Sequence, residues 1–135
     1  MNFIVELGLF PFQIMFSFDE SNERLKSRLK KCGLEYNSKM DIEKHCKGIT
    51  IFDDENYTTL IRMPNLVVSP TDYGTLSHEI YHSVCFILRA SGVELCDSTE
   101  EVFAYCISDI TQKVIAKIEK LNLKCESTQK NNKKE

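Results

Sequence analysis

Apolar and polar residues alternate along the first part of the chain, residues 3–18. Phe3, Val5 and Leu7 fall on one face, and a second alternating run extends from Phe12 to Phe18. A period of two residues predicts β-strands. Residues 8–11, which contain a glycine and a proline, predict a break between two strands.

The pattern changes to a helical period over residues 19–33. Leu25, Leu29 and Cys32 form an apolar stripe, Asp19 is a candidate N-cap, and Gly33 predicts the end of the helix. Residues 34–47 carry no clear period and predict neither a helix nor a strand.

Two apolar runs then flank a polar tetrapeptide. The segments "GITIF" (48–52) and "YTTLIRM" (57–63) enclose "DDEN" (53–56). Strand-like runs joined by a short polar turn predict a β-hairpin.

A helix with clear start and stop signals is predicted over residues 70–91. Ser69 suits the N-cap and Pro70 the first helical position, while Asp72 completes a capping box and Gly92 stops the helix. The buried face is predicted to comprise the apolar residues at helical spacing, namely Leu76, Ile80, Val84 and Ile87.

A second long helix follows after a short loop and is predicted to pack back against the first. Its apolar stripe is predicted to contain Phe103, Cys106 or Ile107, Ile110, Val114 and Leu121. Strands followed by helices predict an α+β fold. Residues 1–123 are expected to form one domain, and residues 124–135 a polar, disordered tail.

Composition narrows the class of protein. The net charge of −3 over 135 residues gives no basic surface for nucleic acid, and no apolar run is long enough to span a bilayer. The apolar N-terminus lacks a basic start and a cleavage site, so the expected location is the cytoplasm. The six cysteines form no C-x-x-C pair and are expected to be free thiols or core residues.

The predicted helix over residues 70–91 carries the motif H-E-x-x-H at His78, Glu79 and His82. Residues four apart share a helix face, so the two imidazoles can hold one zinc ion. Zinc lowers the pKa of a bound water to about 7. Glu79 is then expected to take the proton from that water and pass it to the leaving amine of a cleaved peptide bond. The alternative is that the three residues form an ordinary polar patch.

A catalytic zinc site usually needs a third protein ligand. Cys85 shares the face of His78, but seven residues of helix separate them by about 10 Å, so Cys85 is assigned to the core. The start of the next helix offers Glu100 and Glu101. Acidic residues there can also cap the helix, with Asp97 or Ser98 as partner. We assign the cap to Glu100 and the metal to Glu101.

These residues resemble the gluzincins, the zinc metallopeptidases with two histidines from H-E-x-x-H and a downstream glutamate. Glu101 and Ala104 match the E-x-x-(A/S)-D pattern of that class, whereas Tyr105 stands where aspartate is usual. Residues 70–115 also resemble small uncharacterised proteins of bacteriophages and Bacteroides-type bacteria that look like minimal metallopeptidase domains. The resemblance implies a small zincin-like domain with Zn²⁺ on His78, His82 and Glu101.

Two functions are therefore weighed. The first is a zinc-dependent peptidase, acting on a peptide or protein that adds to the exposed edge of the predicted hairpin. Arg62, Tyr81 or Tyr105 is then expected to stabilise the oxyanion. The second is a catalytically silent zinc-containing module that serves in phage assembly or binds a host factor.

Overall fold

Four strands and three α-helices make up the part of the chain that the structure describes. The computed structural model describes residues 1–8, 10–42 and 46–131, and of residues 123–131 the backbone only. The elements are β1 (Asn2–Glu6), β2 (Gln13–Phe18), α1 (Asn22–Lys31), a 3₁₀ turn (Ser38–Met40), β3 (Ile49–Asp53), β4 (Thr58–Met63), α2 (Pro70–Ala90) and α3 (Glu100–Asn131). The α+β prediction is confirmed, as are the strand break and the β3–β4 hairpin.

The strands form one mixed sheet in the order β1-β2-β4-β3. β1 and β2 pair antiparallel, as do β3 and β4. The central pair, β2 and β4, is parallel, with Gln13 opposite Thr58 and Phe18 opposite Met63. Both central strands are almost fully buried, whereas β3 lies at an edge of the sheet and is half-buried throughout. The free edge of β3 therefore offers unpaired backbone groups.

Two apolar clusters cover the two faces of the sheet. The larger joins one face to α2 and α3, whose buried residues include Leu76, Ile80 and Ile110. The smaller packs Leu25 and Leu29 of α1 against the opposite face. The helical period of α2 and α3 is thus set by the residues that bury against the sheet.

The start of α1 differs from the prediction. Ser21, not Asp19, is the N-cap, and its hydroxyl accepts a hydrogen bond from the N–H of Arg24. Asp19 has a φ of 49° and its N–H still bonds to the carbonyl of Met63. The chain is therefore attached to the sheet at Asp19 and can begin a helix only after it turns away.

The start of α3 also differs. Neither predicted capping pair, Asp97 with Glu100 or Ser98 with Glu101, is hydrogen-bonded in the described structure. Instead Thr99 Oγ1 accepts from the N–H of Cys96 at 3.0 Å, so the turn is stabilised just before the helix. At its other end α3 continues to Asn131, past the predicted domain boundary at residue 123; residues 132–135 lie outside the described residues.

The cysteines whose side chains are described are all free: Cys32, Cys46, Cys85, Cys96 and Cys106. The side chain of Cys125 lies outside the described residues. Among the described helices, none combines the length and the apolar character needed to cross a membrane.

Candidate metal centre

The position of the candidate site is set by how α2 begins and which face it buries. Ser69 Oγ accepts from the N–H of Asp72 at 3.2 Å, and the Asp72 carboxylate accepts from the N–H of Ser69 at 2.9 Å. The Ser69 hydroxyl also donates to the Asp72 carboxylate at 2.7 Å, and this bond, with those from the N–H groups of Ser69 and Val68, holds the pKa of Asp72 below its ordinary value. The predicted capping box is confirmed. Because Ile80 and Val84 are buried against the sheet, the opposite face of α2 carries its histidines to the surface.

The two histidines of the motif converge at this surface. Nε2 of His78 lies 3.0 Å from Nε2 of His82, and the rings are nearly perpendicular, at 82°, with centroids 4.6 Å apart. Two imidazole nitrogens that bind one tetrahedral zinc ion at about 2.0–2.1 Å lie about 3.3 Å apart. The two Nε2 atoms therefore need to move apart only slightly to bind one zinc ion together. The same separation also suits one N–H···N hydrogen bond between neutral rings.

The third predicted ligand does not join this pair. Glu101 is exposed at the start of α3. Within residues 1–8, 10–42 and 46–122, the structure shows no group of three histidine, cysteine or acidic side chains that could hold a metal ion. Cys85 is 6% exposed and belongs to the core between α2 and the sheet, as predicted.

Glu79 lies on the inner side of the histidine pair, between α2 and the edge strand β3. Its side chain is buried, with 6% of the residue exposed. The Thr50 hydroxyl donates to its Oε2 at 2.6 Å and also lies 3.1 Å from its backbone carbonyl oxygen. A buried carboxylate needs such a donor, since leaving it unpaired is costly. Thr50 therefore fixes one oxygen of Glu79 and leaves the other, Oε1, on the side of Gly48.

Gly48 is the residue whose absence of a side chain makes room for Glu79. A Cβ atom at this position would lie 3.0 Å from Cγ and from Oε1 of Glu79, and 3.0 Å from Cγ2 of Thr75. Contacts of this kind are favourable only at about 3.5–4.0 Å. The backbone before β3 thus approaches the carboxylate so closely that any side chain at this position would make Glu79 and Thr75 give way.

A surface cleft of about 440 Å³ opens between this glycine and His78, with a volume in the range of about 300–1,000 Å³ typical of ligand sites. The lining residues are Lys47, Gly48, Gly74, Thr75, His78 and Glu79. A substrate group can therefore reach Glu79 and His78 from solvent together.

Of the three oxyanion candidates, Arg62 is excluded. Its guanidinium donates to Asn22 Oδ1 at 2.9 Å, to the carbonyl of Glu20 at 2.8 Å and to the carbonyl of Met40. All three acceptors lie toward α1, whereas the neighbouring residues of β4, Ile61 and Met63, pack toward α2. Because side chains alternate along a strand, Arg62 is on the face of the sheet opposite Glu79, and that prediction was wrong.

The two tyrosines are both at the surface. Tyr81 is 42% exposed, and its ring centroid is 6.0 Å from that of His82. A hydrogen bond with Cys85 raises the pKa of the Tyr81 hydroxyl. Tyr105 is 73% exposed on α3 and lines a separate cleft with Leu7 and Phe10. Tyr81 is therefore the candidate that the structure brings beside the histidine pair.

The sequence singled out His78, His82 and Glu79 as candidates but gave no role to Gly48 or Thr50. A lone glycine directly before a strand is a signal of close backbone approach, and it was available at Gly48. Nothing in the sequence marks Thr50, because its role depends on β3 lying beside α2. Comparisons with protein-family models, with curated proteins and with solved structures find no match for this chain.

Proposed function

We propose that the protein is a zinc-dependent peptidase with a zincin-like arrangement of α2 and β3. The observation that carries the proposal is the convergence of His78 Nε2 and His82 Nε2, 3.0 Å apart. Beside them lies the buried carboxylate of Glu79, which lines a surface cleft. His78 and His82 are the residues that would hold the ion. Zinc in such a site supplies a Lewis acid that lowers the pKa of water to about 7.

The remaining steps belong to the side chains of the chain itself. Glu79 accepts a proton from the attacking water and later donates it to the leaving amine. Thr50 keeps the carboxylate in place during both transfers through its hydrogen bond to Oε2. Tyr81, whose ring lies beside His82, is the proposed oxyanion donor, and Glu101 is the proposed third ligand on the strength of the sequence.

The substrate is proposed to be a peptide or protein segment in extended conformation. β3 is an edge strand, and Thr50 lies on it, directly against Glu79. A peptide that adds to this edge by main-chain hydrogen bonds is thereby held alongside the carboxylate. Thr50 thus joins the edge strand directly to the proposed proton-transfer group, Glu79.

The alternative is a zinc-containing binding or structural module without turnover. It is favoured by the bond between Thr50 and Glu79, which would join α2 to β3 in a purely structural role as well. The two functions differ in the consequence of Glu79→Gln. A structural module tolerates this amide, because it still accepts from Thr50, whereas a peptidase does not.

The test is a zinc titration of protein purified without chelator or histidine tag, followed by assay on a mixture of quenched fluorescent peptides. We expect about one zinc per chain, lost in His78→Ala and in His82→Ala. Glu79→Gln should retain zinc and lose hydrolysis. A wild-type protein that takes up no zinc would overturn the proposal. A protein that binds zinc but cleaves no peptide would support the structural module.

A further inference from the structure

Among the described residues, a single lysine or arginine side chain lines the cleft beside the proposed metal centre, that of Lys47. Two of the other lining residues are glycines, Gly48 and Gly74, which have no side chain to offer a substrate. Lys47 is exposed. Its ammonium can therefore meet a ligand in the cleft without any rearrangement of the core.

The other polar side chains of this cleft already have partners. Thr75 Oγ1 donates to a backbone carbonyl one turn earlier in α2, at 3.2 Å. The Glu79 carboxylate accepts a hydrogen bond from β3 at 2.6 Å, and His78 lies against His82. With the residues that the structure describes, Lys47 forms no salt bridge. Its three N–H donors are therefore available to a substrate.

The backbone holds Lys47 close to the proposed proton-transfer group. A Cβ atom at Gly48 would lie 3.0 Å from Oε1 of Glu79, so the chain before β3 is in close contact with that carboxylate. Lys47 precedes Gly48 by one peptide unit, which separates their Cα atoms by about 3.8 Å. A substrate segment that occupies the cleft therefore meets Glu79 and Lys47 together.

Lys47 also lines an adjoining cleft of about 360 Å³, which shares Thr75 with the first. The acidic residue of this second cleft is Asp72. Its Oδ2 accepts from the hydroxyl and the N–H of Ser69, so the carboxylate is used in the cap of α2. In the described structure neither Asp72 nor Glu79 forms a salt bridge with Lys47. The ammonium therefore lies between two clefts without an acidic partner from either.

We propose that Lys47 binds a carboxylate of the peptide substrate and makes the protein selective for peptides that carry one near the cleaved bond. This inference rests on the proposed peptidase function and specifies its substrate class. Hydrogen bonds between ionised groups are shorter and stronger than those between neutral groups. The lysine ammonium is a point charge on a flexible stem, so it suits an acidic side chain and a free C-terminus equally.

Binding is measured separately from hydrolysis with the zinc-loaded Glu79→Gln protein. The chain contains no tryptophan, so the fluorescence of a tryptophan peptide reports binding directly. The probes are acetylated hexapeptides of alanine that begin with tryptophan. One set has an amidated C-terminus and a glutamate at each later position in turn, a second peptide has a glutamine and a free C-terminus, and a third has a glutamine and an amidated C-terminus.

We expect a carboxylate probe to bind about three- to fivefold more tightly than the neutral peptide, the upper end for an exposed ion pair. The preference should disappear at 1 M salt, where the screening length falls to about 3 Å.

Substitutions at Lys47 test whether this side chain is the source of the preference. Lys47→Met removes the charge and keeps an apolar stem, so the preference should be lost, whereas Lys47→Arg should retain it. Lys47→Glu should instead favour a peptide with lysine in place of glutamate. The matched control is Lys26→Met, which removes an exposed lysine of α1 on the opposite face of the sheet and should bind as the parent protein does.

The outcomes separate this subsite from the proposed function. Equal affinity for the neutral peptide and every carboxylate probe, or an undiminished preference in Lys47→Met, would overturn the inference. A preference for the glutamate probes or for the free C-terminus supports it and identifies the source of the carboxylate. With the wild-type protein, kcat/KM should show the same preference. Carboxylate binding that depends on Lys47 in a protein that takes up no zinc would refute the peptidase and leave the subsite standing.

Discussion

Replacing Gly48 by alanine tests whether the backbone before β3 sets the position of Glu79. The added Cβ would lie 3.0 Å from Cγ and Oε1 of Glu79. A Cβ contact this tight requires the Glu79 side chain to give way by a few tenths of an ångström. A displacement of about 1 Å can reduce a catalysed rate about 100-fold. A shift of a few tenths of an ångström should therefore lower kcat/KM by about three- to tenfold, with zinc binding retained.

Gly74→Ala is the matched control, because Gly74 lines the same cleft and an added Cβ there meets nothing within 4 Å. In urea unfolding, Gly48→Ala should cost about 1–3 kcal/mol through overpacking. Gly74→Ala should instead stabilise the protein by up to about 1 kcal/mol, as expected of a helical glycine. Equal activity and stability of the two variants would refute the steric argument, and the stability comparison holds whether or not a substrate is known.

Three further predictions concern the surroundings of the site. Thr50→Val keeps the shape but removes the donor to Glu79, so it should cost about 1–3 kcal/mol in urea unfolding, and Thr50→Ser should recover most of that loss. Glu101→Ala should weaken zinc binding in a chelator competition by more than the about 10–100-fold typical of an outer-shell partner, whereas Glu100→Ala should keep zinc; a reversed result assigns the ligand to Glu100. Hydrogen bonds from Ser98 and Thr99 lower the pKa of Cys96 to about 7, so the rate of its alkylation by iodoacetamide should rise with pH and reach half its maximum near pH 7. If mass spectrometry found the label that appears near pH 7 on another cysteine, the prediction would be contradicted.

The sequence predicted structure well where residues close together in the chain determine it. The α2 capping box depends on Ser69 and Asp72, which are three residues apart, and the buried face of α2 follows from its period. The β3–β4 hairpin likewise needs only a short turn. The convergence of His78 and His82 follows from their spacing of four on one helix.

Predictions that depend on distant parts of the chain were less successful. Arg62 is part of an alternating strand, and its face could not be known before α1 and α2 were placed on opposite sides of the sheet. Aspartate is a favoured N-cap residue, but the backbone N–H of Asp19 bonds to the carbonyl of Met63, so the helix begins only after Ser21. Thr50 acquires its role from a contact with Glu79 that spans 29 residues.

The parallel pairing of β2 with β4 has a consequence for how the chain folds. The hairpins β1–β2 and β3–β4 close over short loops, whereas Gln13 and Thr58 meet across 45 residues. Closing a long loop costs chain entropy before its contacts form, which slows folding. The hairpins and α2 can therefore form early, but Thr50 reaches Glu79 only once the sheet has accepted α2. During synthesis, the strands of residues 2–63 must therefore wait for α2 to emerge before Thr50 can meet Glu79.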